Sequence, residues 1–373
     1  MYLSYWELKT WFRNIDFTIL GSGIVGLSCA IYLKNQFPKA KILVLEKGML
    51  PQGASTKNAG FACFGSLSEI ISDIKNNSSE VVFNLVKKRI DGLNLLRKTL
   101  GDKNIDYQRN GGHELFLKTQ KESFEDCHDK IEMVNKLLYP IFQDSAFRFE
   151  KNHFGFKNIM EELCITPFEG QIDTGKMMNR LIQKAQSLDI LLLNNCTVEA
   201  FSEDSNMVKI KTNTFEFSSK KLFIATNGFA AKLLSQKVEP ARAQVLTTKP
   251  IKNLKIKGTF HLDEGFYYFR NIDNRILLGG ARNLDFRAEE TTEFGLTEKV
   301  QGKLQELLET TILPNTPVQI EHRWSGIMGV GNNKTPIVEQ ISEHVYCGVK
   351  LGGMGIAIGS LVGKELAELS FNK

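Results

Sequence analysis

The sequence has few prolines, no paired cysteines and no long apolar run. It contains nine prolines and six cysteines in 373 residues, and no two cysteines form a C-x-x-C pair. Scattered single cysteines are typical of reduced, mostly buried thiols rather than of disulfides or a zinc ribbon. No run approaches the ~18 apolar residues of a membrane-spanning helix, and the N-terminus lacks the pattern of a secretory signal. We therefore expect a cytoplasmic protein with no integral membrane segment.

The sequence also lacks a strong excess of either charge. Lysine and arginine total 47 and aspartate and glutamate total 42, which leaves a net charge of +5. Binding to nucleic acid would need a concentrated basic face, so we expect no nucleic-acid partner. Hydrophobic residues make up 42% of the chain and charged residues 24%, which excludes a disordered or collagen-like chain. At ~150 residues per domain, the length predicts two domains.

The first clear pattern is a strand, a glycine turn, a helix and a second strand. The run DFTIL at residues 16–20 meets GSGIVG at 21–26, and an apolar helical stretch follows until Phe37 and Pro38. The run KILVLE at residues 41–46 then reads as a buried strand that ends on an acid. This order predicts a βαβ unit with two parallel strands.

The glycine turn has the spacing G-x-G-x-x-G between a strand and a helix. In such a turn Gly21 permits the tight bend, Gly23 lets the backbone approach a pyrophosphate, and Gly26 lets the helix lie close to the strand. The helix N-terminus offers free N–H groups to the phosphates. Glu46 stands 20 residues beyond Gly26 at the end of the next strand, where an acid accepts hydrogen bonds from ribose hydroxyls. The unit therefore predicts binding of FAD or NAD.

The rest of the chain favours FAD. Residues 239–285 carry repeated strand patterns typical of an antiparallel sheet. A second glycine turn, LGGMGIAIG at residues 351–359, precedes a C-terminal helix. Its helix N-terminus suits the pyrimidine edge of a flavin, where negative charge develops on reduction, whereas an NAD site normally lies in one contiguous domain.

We predict an α/β (α+β) fold with a Rossmann-like FAD-binding domain built from discontinuous segments. An inserted substrate domain contains a mostly antiparallel β-sheet flanked by helices. The predicted boundaries are 1–75, 155–230 and 320–373 for the FAD-binding domain, and 76–154 and 231–319 for the substrate domain.

Several segments together resemble the FAD-dependent D-amino-acid oxidase superfamily, near glycine oxidase and sarcosine oxidase. The resemblance covers most of the chain. The segments that carry it, in order, are GSGIVGLSCA, ASTKNAGFACFGS, EGQIDTGKMMNRLIQKA, LFIATNGFAAKLL, RAQVLTTKP, NRILLGGAR and GVKLGGMGIAIGSLVGKELAEL.

The resemblance implies which residues hold FAD. Those expected at the pyrophosphate and the adenosine ribose are Gly21, Ser22, Gly23, Gly26, Glu46 and Lys47. Those expected along the ribityl chain and the flavin ring are Ser55, Lys57, Asn58, Ala59 and Gly60. Val198 is expected at the adenine, and Ala225, Thr226 and Asn227 are expected to close over the nucleotide. Those expected to meet the flavin ring from the C-terminal turn are Gly353, Met354, Gly355 and Ile356.

The resemblance also implies a chemistry: oxidation of a C–N bond of a small amine or amino acid by hydride transfer to flavin N5. The imine that forms is hydrolysed by water. Oxygen, a quinone or another carrier is expected to reoxidise the flavin.

The sequence departs from the family at its substrate anchors. Met328 stands about where glycine oxidase has an arginine that binds the substrate carboxylate, and Ala357 stands near the place of a lysine in sarcosine oxidases. The region around Ile327 has no cysteine for a covalent flavin, so we expect non-covalent FAD. Candidate replacements in catalysis and substrate binding are Tyr267, Arg270, Arg282 and Arg323. Tyr267 and Tyr268 are adjacent on one predicted strand, so only one of them can face the flavin.

Two alternatives stay open at this point. A 2-hydroxy-acid or polyol dehydrogenase of the same superfamily would need a base for an O–H proton, and His113 and His261 are its candidates. A catalytically silent FAD-binding assembly protein would explain the missing carboxylate anchors. No His or Cys spacing indicates a metal, so we expect none.

Overall fold

The computed structural model describes residues 3–234 and 238–371. The predicted domain segments also include residues 1–2, 235–237 and 372–373, which lie outside the described residues. The fold is mixed α/β, with two large sheets and helices packed around them, which confirms the predicted fold class.

The strands are β1 (Ile15–Leu20), β2 (Ile42–Leu45), β3 (Phe61–Ala62), β4 (Gly112–Leu115), β5 (Arg148–Lys151), β6 (Glu162–Thr166), β7 (Gly170–Gln171), β8 (Leu191–Leu193), β9 (Val198–Glu203), β10 (Val208–Thr212), β11 (Glu216–Ile224), β12 (Glu239–Thr248), β13 (Thr259–Leu262), β14 (Tyr267–Ile272), β15 (Arg275–Gly280), β16 (Ile320–Val330), β17 (Ile337–Gln340) and β18 (Val345–Val349).

The helices are α1 (Tyr5–Glu7), α2 (Ile24–Gln36), α3 (Ala54–Lys57), α4 (Leu67–Asn76), α5 (Ser79–Leu100), α6 (Lys121–Phe142), α7 (Thr174–Gln186), α8 (Phe286–Glu289), α9 (Glu298–Leu307) and α10 (Gly355–Glu368).

The first sheet has a parallel centre. Its order is β17-β18-β11-β1-β2-β8, and the neighbouring pairs from β18 to β8 are all parallel. The four residues of β2 are all buried, as expected for a parallel strand covered on both faces. On one face, residues of α2, α5, α7 and α10 form one apolar core with β1 and β2. The carboxyl ends of β1, β2 and β11 therefore meet at one edge, where ligands of such sheets bind.

The second sheet is antiparallel apart from one pair. Its order is β16-β12-β15-β14-β13-β4-β6-β5, and only β13 and β4 run parallel. Helix α9 covers its outer face, where Val300 and Leu304 pack against residues such as Leu246 and Phe260. Side chains alternate along a strand, so the residues between these core positions face inward, toward the first sheet.

Sheet membership differs from the predicted domain segments in two places. Strand β6, at Glu162–Thr166, pairs with β4 and β5 in the second sheet, although the segment 155–230 that contains β6 is predicted to belong to the FAD-binding domain. Strand β16 pairs with β12 over ten residues and also belongs to the second sheet. The domain division itself stays a prediction.

Candidate active site

A cavity of about 1010 Å³ lies between the edge of the parallel sheet and the inner face of the antiparallel sheet. Leu20 and Leu45, at the carboxyl ends of β1 and β2, line one side. Ala243 and Val245, on the inner face of β12, line another. The volume is at the upper end of the range for ligand pockets, which suits a cofactor and a substrate together.

Most residues predicted to bind the cofactor line this cavity. They are Gly21, Gly23, Glu46, Lys47, Ser55, Lys57, Asn58, Ala59, Gly60, Val198, Ala225, Thr226, Asn227, Gly353, Met354, Gly355 and Ile356. Ser22 and Gly26 are buried behind its lining.

The glycine turn is shaped so that side chains are excluded from it. A Cβ on Gly26 would lie 1.9 Å from the carbonyl oxygen of Gly21, so α2 packs directly on the turn. A Cβ on Gly23 would lie 2.8 Å from Ser55 Oγ, at the cavity wall. Ser55 Oγ itself accepts a hydrogen bond from Ile24 N at 3.0 Å. The N-terminus of α2 therefore opens onto a cradle of backbone atoms, which is the arrangement that holds a pyrophosphate.

Glu46 is fixed at the end of β2 by hydrogen bonds to its carboxylate. Ser22 donates to Oε2 through its backbone N at 3.1 Å and through its hydroxyl at 2.8 Å. Gly48 N donates to Oε1 at 3.0 Å. Glu46 is buried and lines the cavity, so its oxygens are held where ribose hydroxyls would donate to them.

The loop after α3 is tied down along the cavity. Asn58 Oδ1 accepts hydrogen bonds from Gly60 N at 2.8 Å and from Thr174 Oγ1 at 2.9 Å. Trp324 on β16 donates from its indole N–H to the Lys57 carbonyl at 2.9 Å. These bonds fix the loop to α7 and to β16 of the second sheet, so it presents a shaped backbone surface to a ligand.

The C-terminal glycine turn closes the cavity from the other side. Asn227 Oδ1 accepts hydrogen bonds from Lys350 N at 3.0 Å and Leu351 N at 3.3 Å, and so links the end of β11 to this turn. Helix α10 begins at Gly355, and Met354 and Gly355 line the cavity at its N-terminus. Met328 also lines the cavity, and a Cβ on Gly353 would lie 3.4 Å from its sulfur. The Met328 thioether therefore lies at the cavity beside the C-terminal glycine turn and brings no charge to it.

The residues present fit FAD. The cavity holds the backbone cradle and the fixed acid near the carboxyl ends of β1 and β2, and the N-terminus of α10 faces the same space. A Cβ on Gly23 would come within 2.8 Å of Ser55 Oγ, so the backbone of the turn stays uncovered at the cavity wall only with glycine there.

Three aromatic rings from separate strands meet at the cavity wall. Phe61 on β3 packs its ring edge-on against His261 on β13, with centroids 5.3 Å apart, and against Tyr268 on β14, 5.6 Å apart. His261 and Tyr268 are cross-strand partners on the inner face of the second sheet. Burial raises the pKa of Tyr268 to about 12, so its hydroxyl stays protonated and can donate a hydrogen bond at neutral pH.

Of the two adjacent tyrosines, Tyr268 lines the cavity and Tyr267 does not. Tyr267 is 7% exposed and packs in the outer core with Phe260 and Leu304. Tyr267 rather than Tyr268 is the candidate site residue predicted from the sequence, and the structure places Tyr267 away from the cavity. Its side chain lies on the outer face of β14, which α9 covers.

The three candidate arginines have different surroundings. Arg282 lines the cavity, and its guanidinium lies 5.6 Å from the ring centre of Phe266 and 5.0 Å from that of Phe286. Within residues 3–234 and 238–371 its guanidinium has no hydrogen-bond or ion-pair partner. Burial lowers the pKa of Arg282 below its ordinary value.

Arg270 and Arg323 do not line the cavity. Arg270 is 2% exposed and lies beneath the loop at Gly60, where a Cβ would be 3.0 Å from its Nη2. Its Nε has no hydrogen-bond partner among the described residues, and burial lowers the pKa of Arg270 to about 10. Arg323 donates hydrogen bonds to the side-chain oxygens of Gln301 and Gln305. Both glutamines lie on α9, the helix that covers the outer face of the second sheet.

One group of side chains at the cavity is not apparent from the sequence spacing. Cys63, Glu169 and His261 are buried, and one donor atom of each lies within 4.8 Å of those of the other two. Each of the three is about a hundred residues from the next along the chain, so no short sequence motif contains two of them. Glu169 opens the segment EGQIDTGK that contributes to the family resemblance, and that is the one sequence signal for it. Burial, with help from the Glu169 and Glu69 carboxylates, raises the pKa of the Cys63 thiol well above its ordinary value.

None of the helices described here is both long enough and apolar enough to span a bilayer.

Comparison with known proteins gives one family and relatives that match over most of their length. The sequence model of the FAD dependent oxidoreductase family matches residues 16–369. The probable oxidoreductase OrdL of Haemophilus influenzae is 21% identical over 96% of this chain and 83% of its own length. The gamma-glutamylputrescine oxidoreductase of Escherichia coli is 22% identical over 95% of this chain and 83% of its own length. The structure of glycine oxidase from Geobacillus kaustophilus superposes with a TM-score of 0.76 at 18% identity, over 96% of this chain and 95% of that chain.

Proposed function

The chain belongs to the FAD dependent oxidoreductase family, and from this premise we propose that it oxidises the C–N bond of an amine or amino acid. The product is an imine, which water hydrolyses to a carbonyl compound and ammonia or an amine. Bound FAD supplies the chemistry by accepting a hydride at its N5 atom. The residues proposed to hold FAD are those of the glycine turn, Glu46, the loop 55–60 and the turn at 353–356.

The observation that carries the proposal is the unpaired Arg282 at the cavity. A guanidinium beside two aromatic rings and with no acidic partner is a ready binding site for an anion. Since Met328 and Ala357 offer no charge, we assign to Arg282 the role of binding a substrate carboxylate. Tyr268, also on the cavity wall, is proposed to donate its hydroxyl proton to the same group.

The names of two similar proteins support an amine substrate. One is an oxidoreductase of gamma-glutamylputrescine, a compound named for its putrescine amine, and the other is an oxidase of glycine. A substrate of this chain is thus proposed to carry an oxidisable amine and, at a distance set by Arg282, a carboxylate.

An anaerobic absorbance titration tests the proposal. The purified protein is mixed with a panel of amino acids, diamines, their gamma-glutamyl derivatives and 2-hydroxy acids. We expect an amine that carries a carboxylate to bleach the visible flavin band, and the same amine with its carboxylate converted to an amide to be much weaker. Readmitting air then separates an oxidase from a dehydrogenase that needs a quinone or another carrier. A flavin that no amine reduces would contradict the proposal and favour a silent FAD-binding protein.

One observation favours a second candidate function. His261 lines the cavity and is paired with Glu169, which is how a base for an alcohol proton is built. A 2-hydroxy-acid or polyol dehydrogenase would use it, and bleaching by hydroxy acids alone would select that function.

We also propose that FAD is bound without a covalent link and that the protein works in the cytoplasm. All six cysteines are free and buried in the structure, as is usual in a reducing compartment. Acid precipitation should leave the yellow flavin in the supernatant, and a yellow pellet would contradict non-covalent binding.

A further inference from the structure

We propose that His261, held and oriented by Glu169, accepts the proton that the substrate's ammonium group must lose before its C–N bond is oxidised. This inference rests on the proposed function and deepens it by naming the proton acceptor. An amine is mostly protonated near neutral pH, and an ammonium nitrogen has no lone pair with which to form a C=N bond. A site for such a substrate therefore needs a base within reach of the nitrogen.

The geometry around His261 is that of an oriented base. Its Nε2 lies 2.9 Å from Glu169 Oε2, and Thr259 Oγ1 donates to the same oxygen at 2.9 Å. Glu169 is 0% exposed, so this carboxylate is reserved for interactions inside the protein. The second ring nitrogen of His261, Nδ1, has no hydrogen-bond partner among the described residues. One nitrogen is thus held by the carboxylate and the other is left for a ligand, which is how a carboxylate fixes the tautomer of a catalytic histidine.

His261 is placed where a substrate would lie. It lines the cavity beside Tyr268, its cross-strand partner, and its ring contacts Phe61. The wall that carries His261 and Tyr268 is the inner face of the second sheet, which lines the same cavity as the residues of the proposed flavin site. The other buried histidine of this sheet, His113, stacks on Phe260 and is absent from the cavity lining.

The charged groups that face His261 come from three elements. Glu169 precedes β7, Glu114 lies on β4 as the cross-strand partner of His261, and Glu69 lies on α4. Glu69 is itself paired with Arg89 and Lys334. Burial by itself lowers the pKa of His261, but the Glu169 carboxylate, with Glu114 and Glu69, outweighs burial and raises it. The nearby His113 has the opposite environment, and burial lowers its pKa to about 4.

A base with a raised pKa is suited to an amine. Proton transfer from an ammonium ion is uphill to an ordinary imidazole, and each unit by which the base is strengthened makes it easier by about 1.4 kcal/mol. Cys63, Glu169 and His261 also offer one possible metal-ligand atom each, and these atoms lie within 4.8 Å of one another. We favour the proton site because the Glu169 oxygen nearest the ring is already shared with Thr259, which donates a hydrogen bond to it.

The proposed step balances in two parts. First an N–H bond of the ammonium breaks, the proton moves to Nδ1 of His261, and the electron pair stays on the substrate nitrogen. Then the α-C–H bond breaks, its electron pair leaves as hydride to the bound FAD, and the nitrogen pair forms the C=N bond. The imidazolium left on His261 is stabilised by Glu169.

The test is the pH dependence of flavin reduction in the FAD-loaded enzyme, measured by anaerobic stopped flow with the amine that the panel identifies. In the wild type, reduction at low substrate should rise with pH as His261 loses its proton. His261→Asn should lower the rate constant about 10²-fold or more near neutral pH, the usual contribution of a base. That deficit should shrink as the pH nears the pKa of the substrate amine, because the amine then arrives already neutral. A less basic analogue of the same amine should rescue the variant in the same way.

Glu169→Gln provides a second variant that keeps the shape of the side chain. Removing the carboxylate should lower the pKa of His261, so the rising limb of the profile should move to lower pH. The titration of His261 is read directly by NMR of histidine-labelled protein, which has six histidines to assign. This measurement does not depend on turnover. His113→Asn is the control, since it removes a buried histidine of the same sheet, and it should leave the profile in place.

The outcomes separate this inference from the proposed function. If an amine reduces the flavin and His261→Asn keeps the wild-type pH profile, the inference is overturned and the function stands. A uniform loss of rate at every pH, with no rescue by the less basic amine, also overturns it, because a structural defect behaves in that way. If no amine reduces the flavin, the proposed function fails and the inference falls with it. An NMR titration of His261 that Glu169→Gln leaves unchanged contradicts the role of Glu169.

Discussion

The two ends of the cavity are built in different ways. The end proposed to hold the cofactor is made largely of backbone: a glycine turn, a helix N-terminus and a loop tied by Asn58. The end proposed to hold the substrate is made of side chains on or next to separate strands of the antiparallel sheet, with His261, Tyr268 and Arg282 on its wall. The first end depends on residues close together in the chain. The second end depends on which face of the antiparallel sheet lines the cavity. That is decided by α9, which covers the opposite face and is distant in sequence from the strands.

The two ends of the cavity should therefore respond differently to substitution. The glycine turn tolerates few substitutions, because a Cβ on Gly23 would already lie 2.8 Å from Ser55 Oγ. A wall made of side chains, by contrast, changes its charge when a single charged side chain is exchanged. Five predicted effects, in order of decreasing size, test this contrast between the two ends.

The largest effect is expected at the cradle. Gly23→Val places a side chain at the cavity wall, where even the first carbon would lie 2.8 Å from Ser55 Oγ, so we expect loss of nearly all bound FAD. The ratio of flavin to protein absorbance in the purified variant measures this. Gly302→Val on α9 is the control, because a Cβ there meets nothing within 4 Å. Full flavin content in Gly23→Val would refute the assignment of the cradle.

The next largest effect is expected on the stability of the second sheet, through the buried ion pair of Arg242 and Glu289. Arg242 on β12 forms two hydrogen bonds with Glu289, at 2.8 and 3.0 Å, and Gln244 adds a third at 2.9 Å. Glu289→Ala leaves Arg242 buried without its partner, so we expect the free energy of unfolding to fall by about 3–5 kcal/mol. Denaturant unfolding followed by both flavin and tryptophan fluorescence measures it and shows whether the two ends unfold together. The exposed neighbour Glu290→Ala should change little.

This stabilisation should also depend on pH. Burial by itself raises the pKa of Glu289, but hydrogen bonds from Arg242 and Gln244 outweigh burial and lower it. A carboxyl whose pKa is lowered by folding stabilises the protein fully above its ordinary pKa and loses that effect as the pH falls through the lowered value. The difference in stability between wild type and Glu289→Ala should therefore shrink in acid. A difference that stays constant down to strongly acidic pH would contradict the ion pair.

A smaller effect is expected at the carboxylate site. Arg282→Ala should raise the KM for the carboxylate-bearing amine about ten- to hundredfold, since charge-assisted hydrogen bonds are worth about 1.5–3 kcal/mol. The amide of the same substrate should be unaffected, so the preference for the carboxylate should disappear. Flavin content should stay at the wild-type level, and the exposed Arg287→Ala serves as the matched control. An unchanged preference for the carboxylate would locate the anchor elsewhere.

The smallest effect separates the two adjacent tyrosines. Tyr268→Phe removes a hydroxyl at the cavity wall and should raise KM by a few-fold, the worth of one neutral hydrogen bond of about 1 kcal/mol. Tyr267→Phe acts in the outer core and should leave KM unchanged. Steady-state kinetics of both variants decide between them, and the opposite ranking would restore the sequence-based choice of Tyr267.

Much of the cofactor end was predictable from the sequence. The strand, glycine turn, helix and acid lie within residues 16–46, and local spacing is enough to recognise them. The substrate end was only partly predictable. Alternation along β14 separates Tyr267 from Tyr268, but the choice of face depends on α9, which is distant in sequence. Glu169 and His261 are 92 residues apart, and no local pattern joins them.

The sequence by itself determined the family, the mixed α/β fold class and the place of the dinucleotide turn, because local spacing sets the turn and the order of segments along the chain sets the family and the fold class. The tertiary structure alone decided that Arg282 lies unpaired at the cavity, that Arg323 is bound to glutamines, and that His261 meets Glu169. The physical reason is that a side chain's charge and pKa depend on its surroundings, and those surroundings are assembled from distant segments only when the two sheets pack together.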